Sequence, residues 1–476
     1  MKMRQLVLGR HGRQRWLAKP PSGVSLNSFL PRRLLAIVIA LAASSLSAAE
    51  PISQVLPCGK VGIVGGLGAG VDLQRQMVDT RRFPEAVCND GTPAVFYFAR
   101  YTKEEDRDKW VIFLQGGGLC STAQACANRW CSFDTNYGMD KMTTSLTKPS
   151  IRGNGFLDPR ADNRFGSWNR VLIYYCSSDG WTGTSTKTAQ ATGGGKTVEF
   201  NINFRGSRIV DAVLETLRYA NLGRTRAVRI GQQQAGLPDL DNATEILFGG
   251  SSAGGRGAID NADRVNAKLH ATNPNVVFRV VIDAIFDVDR QNLDWTKTTL
   301  CAEGPNGCSY ELAARQSHDQ VDGEFYAAIR DESCLTWHAA HAPGTEWRCA
   351  DSYHEVTNHV TTPMFVHMDE QDENIGGDFV ETGFGTASDF GTGIEQQLRA
   401  LATLNATAEE KGTLATPGTF GPQCTDHESF ANDQAVFDVR LGGLSYHDTV
   451  WNWWSGGQPQ TAIHTFSGPG KAPGCP

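Results

Sequence analysis

The 476-residue chain lacks an excess of positive charge, internal repeats and, with one exception, long hydrophobic runs. Its 44 Lys and Arg residues stand against 51 Asp and Glu residues, and the resulting net charge of −7 argues against a surface that binds nucleic acid. The absence of a repeat of about 20–50 residues excludes a solenoid. Hydrophobic residues at 40% and charged residues at 20% are typical of a globular protein that buries a sizeable core.

The single long apolar run covers residues 34–46, directly after a pair of arginines, and small residues follow it up to Ala49. This order is typical of a secretory signal peptide. An uncleaved membrane anchor is the alternative, but the run is short for a membrane span. We therefore expect a signal peptide with a basic leader over residues 1–49 and a mature domain over residues 50–476. The mature protein is expected to be secreted or periplasmic, without a stable membrane span.

Neither a CxxC pair nor an HExxH motif occurs, so the usual zinc spacings are missing. All 12 cysteines follow the apolar run, and an even number in an exported chain predicts disulfides. The close spacings predict local staples at Cys301–Cys308 and Cys334–Cys349, while the other pairings stay open. Four histidines lie close together in sequence without a ligand pattern, and we interpret them as ordinary polar residues: His338, His341, His354 and His359.

Short apolar runs recur along the chain, and each ends in a polar or glycine-rich loop: residues 110–114, 171–175, 246–248, 276–282 and 364–366. Runs that are apolar on both faces are typical of a buried parallel sheet. A helical stripe over residues 207–220 lies between them, and no linker divides the chain. The pattern predicts a single large α/β domain with a doubly wound, mostly parallel sheet and disulfide-stapled loops. Residues 182–196 and 369–392 are predicted to be irregular, either as substrate walls or as solvated insertions.

The segment Gly250–Gly254 has the pattern G-x-S-x-G, with Ser252 at its centre. It follows the apolar strand at residues 246–248 and precedes a helix-like run, as the nucleophile elbow of an α/β hydrolase requires. A glycine-rich structural turn is the alternative. The context favours Ser252 as a nucleophile in an α/β-hydrolase-like fold.

Acyl transfer also needs donors for the oxyanion. Gly116–Gly118 follow another apolar strand, where backbone N–H groups can approach a carbonyl, so Gly117 and Gly118 are predicted donors together with Ala253. A phosphate-binding loop is the alternative, but the Lys-Ser/Thr ending of a P-loop is missing.

An α/β hydrolase places its acid and its histidine after the nucleophile in the chain. Asp369 and Asp372 both follow the strand at residues 364–366, and Asp372 is favoured because its offset better matches the reach of such loops. Three histidines follow the acid: His427, His447 and His464. Position alone favours His427 only modestly.

Seven segments, in the same order, resemble motifs of the pectin acetylesterase family, which also contains the Notum-type carboxylesterases. They are Cys88–Pro93, Leu114–Cys120, Trp168–Val171, Phe204–Ile209, Gly250–Gly255, Asp283–Ala284 and Cys424–His427. The resemblance implies a triad of Ser252, Asp372 and His427, with Gly117, Gly118 and Ala253 as the oxyanion hole. It favours His427 strongly over His447.

The chain also departs from the family pattern near the expected site. Gln115 replaces a Glu, Leu119 replaces a Trp, and Ser251 and Glu428 stand where the family usually has Cys. The S-W-Q that often follows the acid is missing after Asp372. Because these changes border the expected substrate pocket, the resemblance transfers the chemistry more readily than the substrate.

The sequence therefore predicts a secreted serine carboxylesterase that removes short acyl groups, O-acetyl groups above all, from a polysaccharide such as pectin. Its partner is an acetylated carbohydrate or another small ester, and the chemistry requires no metal or organic cofactor. A Notum-like hydrolase of long acyl esters is one alternative. The other is a non-catalytic carbohydrate-binding protein that stacks sugar rings on tryptophans, for which the candidates are Trp130, Trp181 and Trp337.

Overall fold

The computed structural model describes residues 49–56, 58, 72–132, 134, 137–193, 196–218, 227–230, 233–236, 238–298, 308–404 and 416–476. The chain from Ala49 onward forms one compact unit. The apolar run expected to be a signal peptide and Cys301 lie outside the described residues, so the cleavage site and the domain limits stay predictions. Within the described part of the chain, no helix combines the length and the apolar character that crossing a membrane requires.

Sixteen strands are present in the described residues: β1 Leu73–Met77, β2 Val95–Ala99, β3 Lys109–Leu114, β4 Ser150–Ile151, β5 Asn169–Ile173, β6 Ser185–Gly193, β7 Lys196–Phe204, β8 Ala227–Ile230, β9 Gln233–Gly236, β10 Glu245–Ser251, β11 Val277–Asp283, β12 Met364–His367, β13 Gly418–Gly421, β14 Arg440–Leu441, β15 Leu444–Ser445 and β16 Thr461–Ile463. Ten of them form the central sheet in the order β16-β13-β12-β11-β10-β3-β5-β2-β1-β4. The strands from β16 to β5 are parallel, and β2, β1 and β4 continue the sheet with antiparallel pairing.

The α-helices of the described chain surround this sheet: α1 Ile52–Val55, α2 Ala123–Trp130, α3 Gly206–Leu217, α4 Ala253–His270, α5 Tyr310–Ser317, α6 Glu332–His341, α7 Ser352–Asn358, α8 Ile375–Glu381, α9 Ala387–Ala402, α10 Asp433–Phe437 and α11 Tyr446–Ser455. A π-type helical segment, His318–Tyr326, follows α5. The central strands are buried along nearly their whole length, which explains their continuous apolar runs. Helix α4 packs on β10 and β11, and helices α9 and α11 pack on β13. The predicted fold class, an α/β-hydrolase-like, mostly parallel sheet, is confirmed.

Two segments predicted to be irregular contain regular structure. Residues 182–196 contribute β6 and the start of β7, which pair as an antiparallel hairpin. One face of this hairpin is held by hydrogen bonds between polar side chains: Thr186 donates to Asn203, and Thr188 donates to Asn201. The sequence therefore lacks the clear apolar run by which the other strands were recognised. Residues 369–392 contain α8 and the start of α9, and Thr386 with Asp389 forms a capping box at the latter. The expectation of two loose loops is therefore wrong.

Five disulfides join described cysteines: Cys58–Cys131, Cys88–Cys176, Cys120–Cys126, Cys334–Cys349 and Cys424–Cys475. The predicted local staple Cys334–Cys349 is confirmed. Cys308 is also disulfide-bonded, and its predicted partner Cys301 lies outside the described residues. Three of the bridges include a cysteine in a loop that follows the carboxyl end of a strand of the sheet. Cys176 follows β5, Cys120–Cys126 follows the glycine loop after β3, and Cys424–Cys475 staples the loop after β13.

Candidate active site

Ser252 lies at a sharp turn between strand β10 and helix α4. Its backbone adopts φ 54° and ψ −123°, a conformation that L-residues rarely occupy outside strained turns. The turn requires a small neighbour, because a Cβ on Gly254 would lie 1.9 Å from the carbonyl oxygen of Leu114 on β3. Ser252 therefore precedes the first turn of α4 at the carboxyl end of the sheet, where the unpaired N–H groups of a helix favour negative charge.

An acid and a base lie together on the neighbouring loops. Nδ1 of His427 lies 2.8 Å from Oδ2 of Asp372, and the Asp372 carboxylate is buried. Oδ1 of Asp372 accepts the backbone N–H groups of Asn374 and Ile375, each at 2.9 Å, which fixes the orientation of the carboxylate. A proton on Nδ1 leaves Nε2 of His427 as the basic atom. Within the described residues, Nε2 has no hydrogen-bond partner in the protein.

Backbone hydrogen bonds hold the acid loop against the histidine loop. The N–H groups of Glu370, Gln371 and Glu373 donate to the carbonyls of the loop after β13, at 2.9, 3.0 and 3.2 Å. The Cys424–Cys475 bridge staples that second loop three residues before His427. The acid–base pair is thus held by main-chain contacts as well as by its own hydrogen bond.

The electrostatic environment of His427 favours its charged form. Burial lowers the pKa of the imidazole, but the hydrogen bond and the charge of Asp372, together with the charges of Glu428 and Asp283, raise it by more. The pKa therefore lies above the ordinary value of 6.5. A base with this pKa is suited to taking a proton from a serine hydroxyl near neutral pH.

The alternatives left open by the sequence are placed elsewhere. Oδ1 of Asp369 lies 3.4 Å from Nε2 of His367, and burial raises the pKa of Asp369 well above its usual range. His447 is buried among aromatic rings, and its Nε2 accepts the backbone N–H of Arg164 at 3.0 Å. His464 lies 3.7 Å from Glu370. Of these candidates, the pair brought into direct contact is Asp372 with His427.

The predicted oxyanion loop lies beside the elbow. Gly117 and Gly118 have φ angles of 137° and 64°, and Arg129 donates to the Gly117 carbonyl at 2.6 Å. The preceding Gly116 has no room for a side chain, since a Cβ there would lie 2.7 Å from the carbonyl oxygen of Ser251 and against the carboxylate of Glu428. The loop and the elbow are therefore in direct contact. The role of Gly117, Gly118 and Ala253 as donors stays a prediction.

Asp283 contacts three segments around the elbow, and the sequence analysis did not assign it to the site. Its buried carboxylate accepts the hydroxyl of Ser251 at 2.5 Å, the backbone N–H of Phe430 at 2.8 Å and Nδ1 of His367 at 2.6 Å. Its carbonyl accepts the backbone N–H of Ser252 at 2.9 Å. Asp283 thus connects the elbow, the histidine loop and the end of β12. Its position at the end of an apolar strand was the available signal.

Charged side chains also border the glycine loop. Lys141 packs beside Gly117, since a Cβ on this glycine would lie 3.0 Å from the methylene carbons of the lysine. Residue 428 is exposed as a whole, but the carboxylate of Glu428 reaches Gly116, and burial raises the pKa of this carboxylate. Glu428 could have been noticed in the sequence as part of the site, because it replaces a Cys that is usual in the family. No sequence feature marked Lys141, because it lies far from any motif in the chain.

The tryptophans considered for sugar binding are not available as exposed platforms. Trp181 is fully buried, and Trp130 is 5% exposed. Trp337 is half-buried and stacks on His341. A sugar-binding surface built from these three residues is therefore contradicted.

Three of the four histidines interpreted as ordinary polar residues form a buried group, and the fourth, His341, is exposed. One potential ligand atom from each of Cys334, His338, His354 and His359 lies within 4.8 Å of the others. Burial and the positive charge of Arg348 lower the pKa of His354 to about 2, so this imidazole is neutral. The group includes none of the residues of the predicted triad.

A comparison with protein families gives a match to the pectinacetylesterase model over residues 69–476. The chain belongs to the pectinacetylesterase family. The resemblance recognised in the sequence is confirmed, and membership confirms the predicted enzyme class, a carboxylic ester hydrolase.

Curated relatives of this pectinacetylesterase-family chain include palmitoleoyl-protein carboxylesterases. It is 27% identical to notum1a of Danio rerio over 82% of this chain and 66% of the relative. It is 31% identical to notum1' of Xenopus laevis over 77% of this chain and 64% of the relative. The human NOTUM protein is 27% identical over 82% of this chain and 67% of its own length. The chain thus spans about two thirds of the length of these relatives.

A crystal structure of the Wnt deacylase Notum from Drosophila has the same fold. It superposes with a TM-score of 0.62 at 23% identity and covers 85% of this chain and 100% of the solved chain. At this identity the likeness concerns the fold alone.

Proposed function

We propose that the protein is an exported serine esterase that hydrolyses short acyl esters, O-acetyl groups on a polysaccharide above all, with Ser252, His427 and Asp372 as its triad. The observation that carries the proposal is the 2.8 Å contact between His427 and a buried Asp372 on loops at the same sheet edge as the Ser252 elbow. Export is supported by the disulfides of the described chain and by the apolar run at residues 34–46.

The proposed reaction has two steps, the acylation of Ser252 and the hydrolysis of the acyl-enzyme. Nε2 of His427 takes the proton of Ser252 as its oxygen attacks the acyl carbonyl, and Asp372 stabilises the resulting imidazolium. Gly117, Gly118 and Ala253 donate N–H groups to the oxyanion. The sugar alcohol leaves with the proton from His427. Water then attacks the acyl-enzyme, acetate is released, and Ser252 recovers its proton.

The charged border of the glycine loop supports a polar substrate. The carboxylate of Glu428 reaches the loop at Gly116, whereas Lys141 and Arg129 are buried and support the loop. A long acyl chain gains by burying apolar surface, which a carboxylate beside the glycine loop does not offer. An alcohol moiety rich in hydroxyl groups gains hydrogen bonds from such a carboxylate.

The second candidate is a hydrolase of long acyl esters. It is favoured by the names of the relatives, which describe palmitoleoyl-protein carboxylesterases. Leu119, which replaces a usual Trp, is exposed directly after the glycine loop and offers apolar surface there.

Turnover of p-nitrophenyl acetate by the purified protein tests the triad. We expect Ser252→Ala to lower kcat by about 10⁴- to 10⁶-fold. Ser455→Ala, an exposed serine at the end of α11, is the matched control and is expected to retain full activity. Equal activity of the wild type and Ser252→Ala would remove Ser252 from the mechanism.

Acyl length and carrier separate the two substrate classes. We expect kcat/KM to be higher for p-nitrophenyl acetate than for the octanoate, and acetate to be released from acetylated pectin, xylan or chitin. A preference for octanoate without acetate release from any of these polymers would favour the long-acyl hydrolase.

A further inference from the structure

Every second carbonyl from residue 115 to residue 119 accepts a hydrogen bond from a side chain outside the glycine loop. The N–H groups of Gly117 and Gly118, by contrast, donate to no acceptor among the described residues. The carbonyls are therefore turned toward the protein, while two loop donors stay free. The three pairs are Trp181 Nε1 with Gln115 at 3.0 Å, Arg129 Nη2 with Gly117 at 2.6 Å, and the Tyr137 hydroxyl with Leu119 at 2.9 Å.

The contact with Arg129 fixes the direction of one of these free donors. In the described chain the one cis peptide bond is Gln458–Pro459, so the bond between Gly117 and Gly118 is trans. The carbonyl of Gly117 and the N–H of Gly118 belong to the same planar group and point to opposite sides of it. A side chain that binds the carbonyl therefore orients the N–H as well.

The backbone of the loop does not fix this peptide by itself. Gly117 and Gly118 have φ angles of 137° and 64°, and glycine adopts φ angles of either sign with nearly equal ease. Rotation of the peptide between them meets little steric resistance from their own Cα atoms. Its orientation depends on an outside contact, which Arg129 provides.

Arg129 is itself held firmly. It lies in the last turn of α2, and the Thr122 side chain caps the first turn by accepting the N–H of Ala125. The Cys120–Cys126 bridge ties α2 to the residues that follow the glycine loop. The Tyr137 ring lies 4.5 Å from the guanidinium. The donor is thus part of a cross-linked unit and not a free surface side chain.

The burial of this charge is unusual. Arg129 is 1% exposed, and no carboxylate among the described residues forms an ion pair with it. Its Nε and Nη1 have no hydrogen-bond partner in the same part of the chain. A buried arginine is normally paired with an acid, and an apolar side chain would fill the space without desolvating a charge. Its hydrogen bond goes to the Gly117 carbonyl, so this contact is what the charge serves.

We propose that Arg129 is a positioning residue that directs the N–H of Gly118 at the oxyanion. This role rests on the proposed function, because Gly118 as an oxyanion donor belongs to it. A charged donor on the Gly117 carbonyl polarises the shared peptide and strengthens the N–H on its other side. The donor is then in place before Ser252 attacks, and no reorganisation is needed as charge develops on the acyl oxygen. Arg129 does not itself touch the substrate.

Steady-state kinetics on p-nitrophenyl acetate test this role. We expect Arg129→Ala to lower kcat by about 10²-fold with KM within about threefold of the wild type, because an oxyanion donor acts in the transition state. Guanidinium chloride at a non-denaturing concentration should restore kcat by about tenfold, since the free ion can occupy the vacated space and bind the carbonyl. Arg129→Lys keeps the charge without the planar fork and should lose about tenfold in kcat.

Arg218→Ala is the matched control. Arg218 is also buried, but it binds Asp241 and Thr272 beyond the end of α4 that is opposite the elbow. Circular dichroism establishes that each variant is folded. We expect Arg218→Ala to retain kcat within about threefold and to gain nothing from guanidinium.

A wild-type kcat in Arg129→Ala, a loss through KM alone, or a loss that guanidinium leaves unchanged would overturn the role of Arg129. If Arg129→Ala does not fold, a crystal structure of the wild type with a dialkyl phosphoryl group on Ser252 decides. We expect the Gly118 nitrogen about 3 Å from the phosphoryl oxygen with Arg129 still on the Gly117 carbonyl, and an N–H that points elsewhere would overturn the role. Absence of Ser252-dependent turnover in the wild type would instead remove the proposed function, and this role with it.

Discussion

The adjacent serines at the elbow differ in their surroundings, and two separate Asp–His pairs lie at this end of the sheet. Ser251 is fully buried and donates to Asp283, which also contacts His367. Ser252 is partly exposed at the strained turn, and His427 with Asp372 lies on the loops beside it. The residue types are the same, but the chemistry they can perform is not.

The difference lies in where the protons are held. In the buried group the serine hydroxyl and a backbone N–H donate to one carboxylate, so the serine proton is directed to an acid and not to a base. In the second group the carboxylate binds Nδ1 of His427, and Nε2 stays open as a base. A serine can act as a nucleophile only if a reactant can reach it and a base can take its proton. Ser251 meets neither condition, because it is fully buried and donates to a carboxylate.

The largest expected effect on activity comes from replacing the carboxylate of Asp372. Asp372→Asn is expected to lower kcat on p-nitrophenyl acetate by about 10⁴-fold, because the amide favours the wrong tautomer of His427. Asp369→Asn is the matched change three residues away, and we expect activity within a few-fold of the wild type. Burial already favours the neutral form of Asp369. A larger loss for Asp369→Asn than for Asp372→Asn would reverse the assignment of the acid.

Substitution of Ser251 should mainly lower stability, whereas substitution of Ser252 should mainly lower activity. Ser251→Ala removes a hydrogen bond to a buried carboxylate, so we expect the free energy of unfolding to fall by about 2 kcal/mol. Its kcat/KM should fall by about tenfold, through kcat, because the elbow is held less precisely. Ser252→Ala should leave the free energy of unfolding within about 0.5 kcal/mol of the wild type.

Urea denaturation and steady-state kinetics on both variants provide the measurement. The positioning role of Ser251 predicts that the shape of the pH profile is retained in Ser251→Ala while kcat falls. If Ser251→Ala abolishes activity as completely as Ser252→Ala without loss of stability, the roles assigned to the two groups are wrong.

The smallest expected effect concerns the charge beside the base. Protonated His427 cannot accept a proton, so kcat/KM should fall as the pH decreases through its pKa, which Asp372 holds above 6.5. Glu428→Gln removes a negative charge that raises this pKa, and the midpoint of the acid limb should therefore move to lower pH. Activity on the alkaline side of that limb should be retained.

Glu381→Gln, an exposed change on α8, is the control and should leave the profile unchanged. Added salt should reduce the shift caused by Glu428→Gln, since screening weakens a charge–charge effect. A shift of the acid limb to higher pH in Glu428→Gln would show that Glu428 does not act on His427 through its charge.

Much of the fold was predictable because it depends on local pattern. The apolar runs that became β3, β5, β10, β11 and β12 are buried on both faces, and that burial is visible as continuous hydrophobicity. The β6–β7 hairpin was missed because its cross-strand pairs are polar. The choice between Asp369 and Asp372 stayed open for another reason, since both follow the same strand and only the fold of the loop separates them.

The sequence by itself determined the sheet, the G-x-S-x-G turn and the family, because backbone sterics and burial act between near neighbours in the chain. Only the tertiary structure decided that Asp283 joins three loops, that His427 contacts Asp372, and that three histidines of α6 and α7 converge. Such contacts depend on strand order and helix packing across tens to hundreds of residues. No local pattern encodes a distance between side chains on different elements.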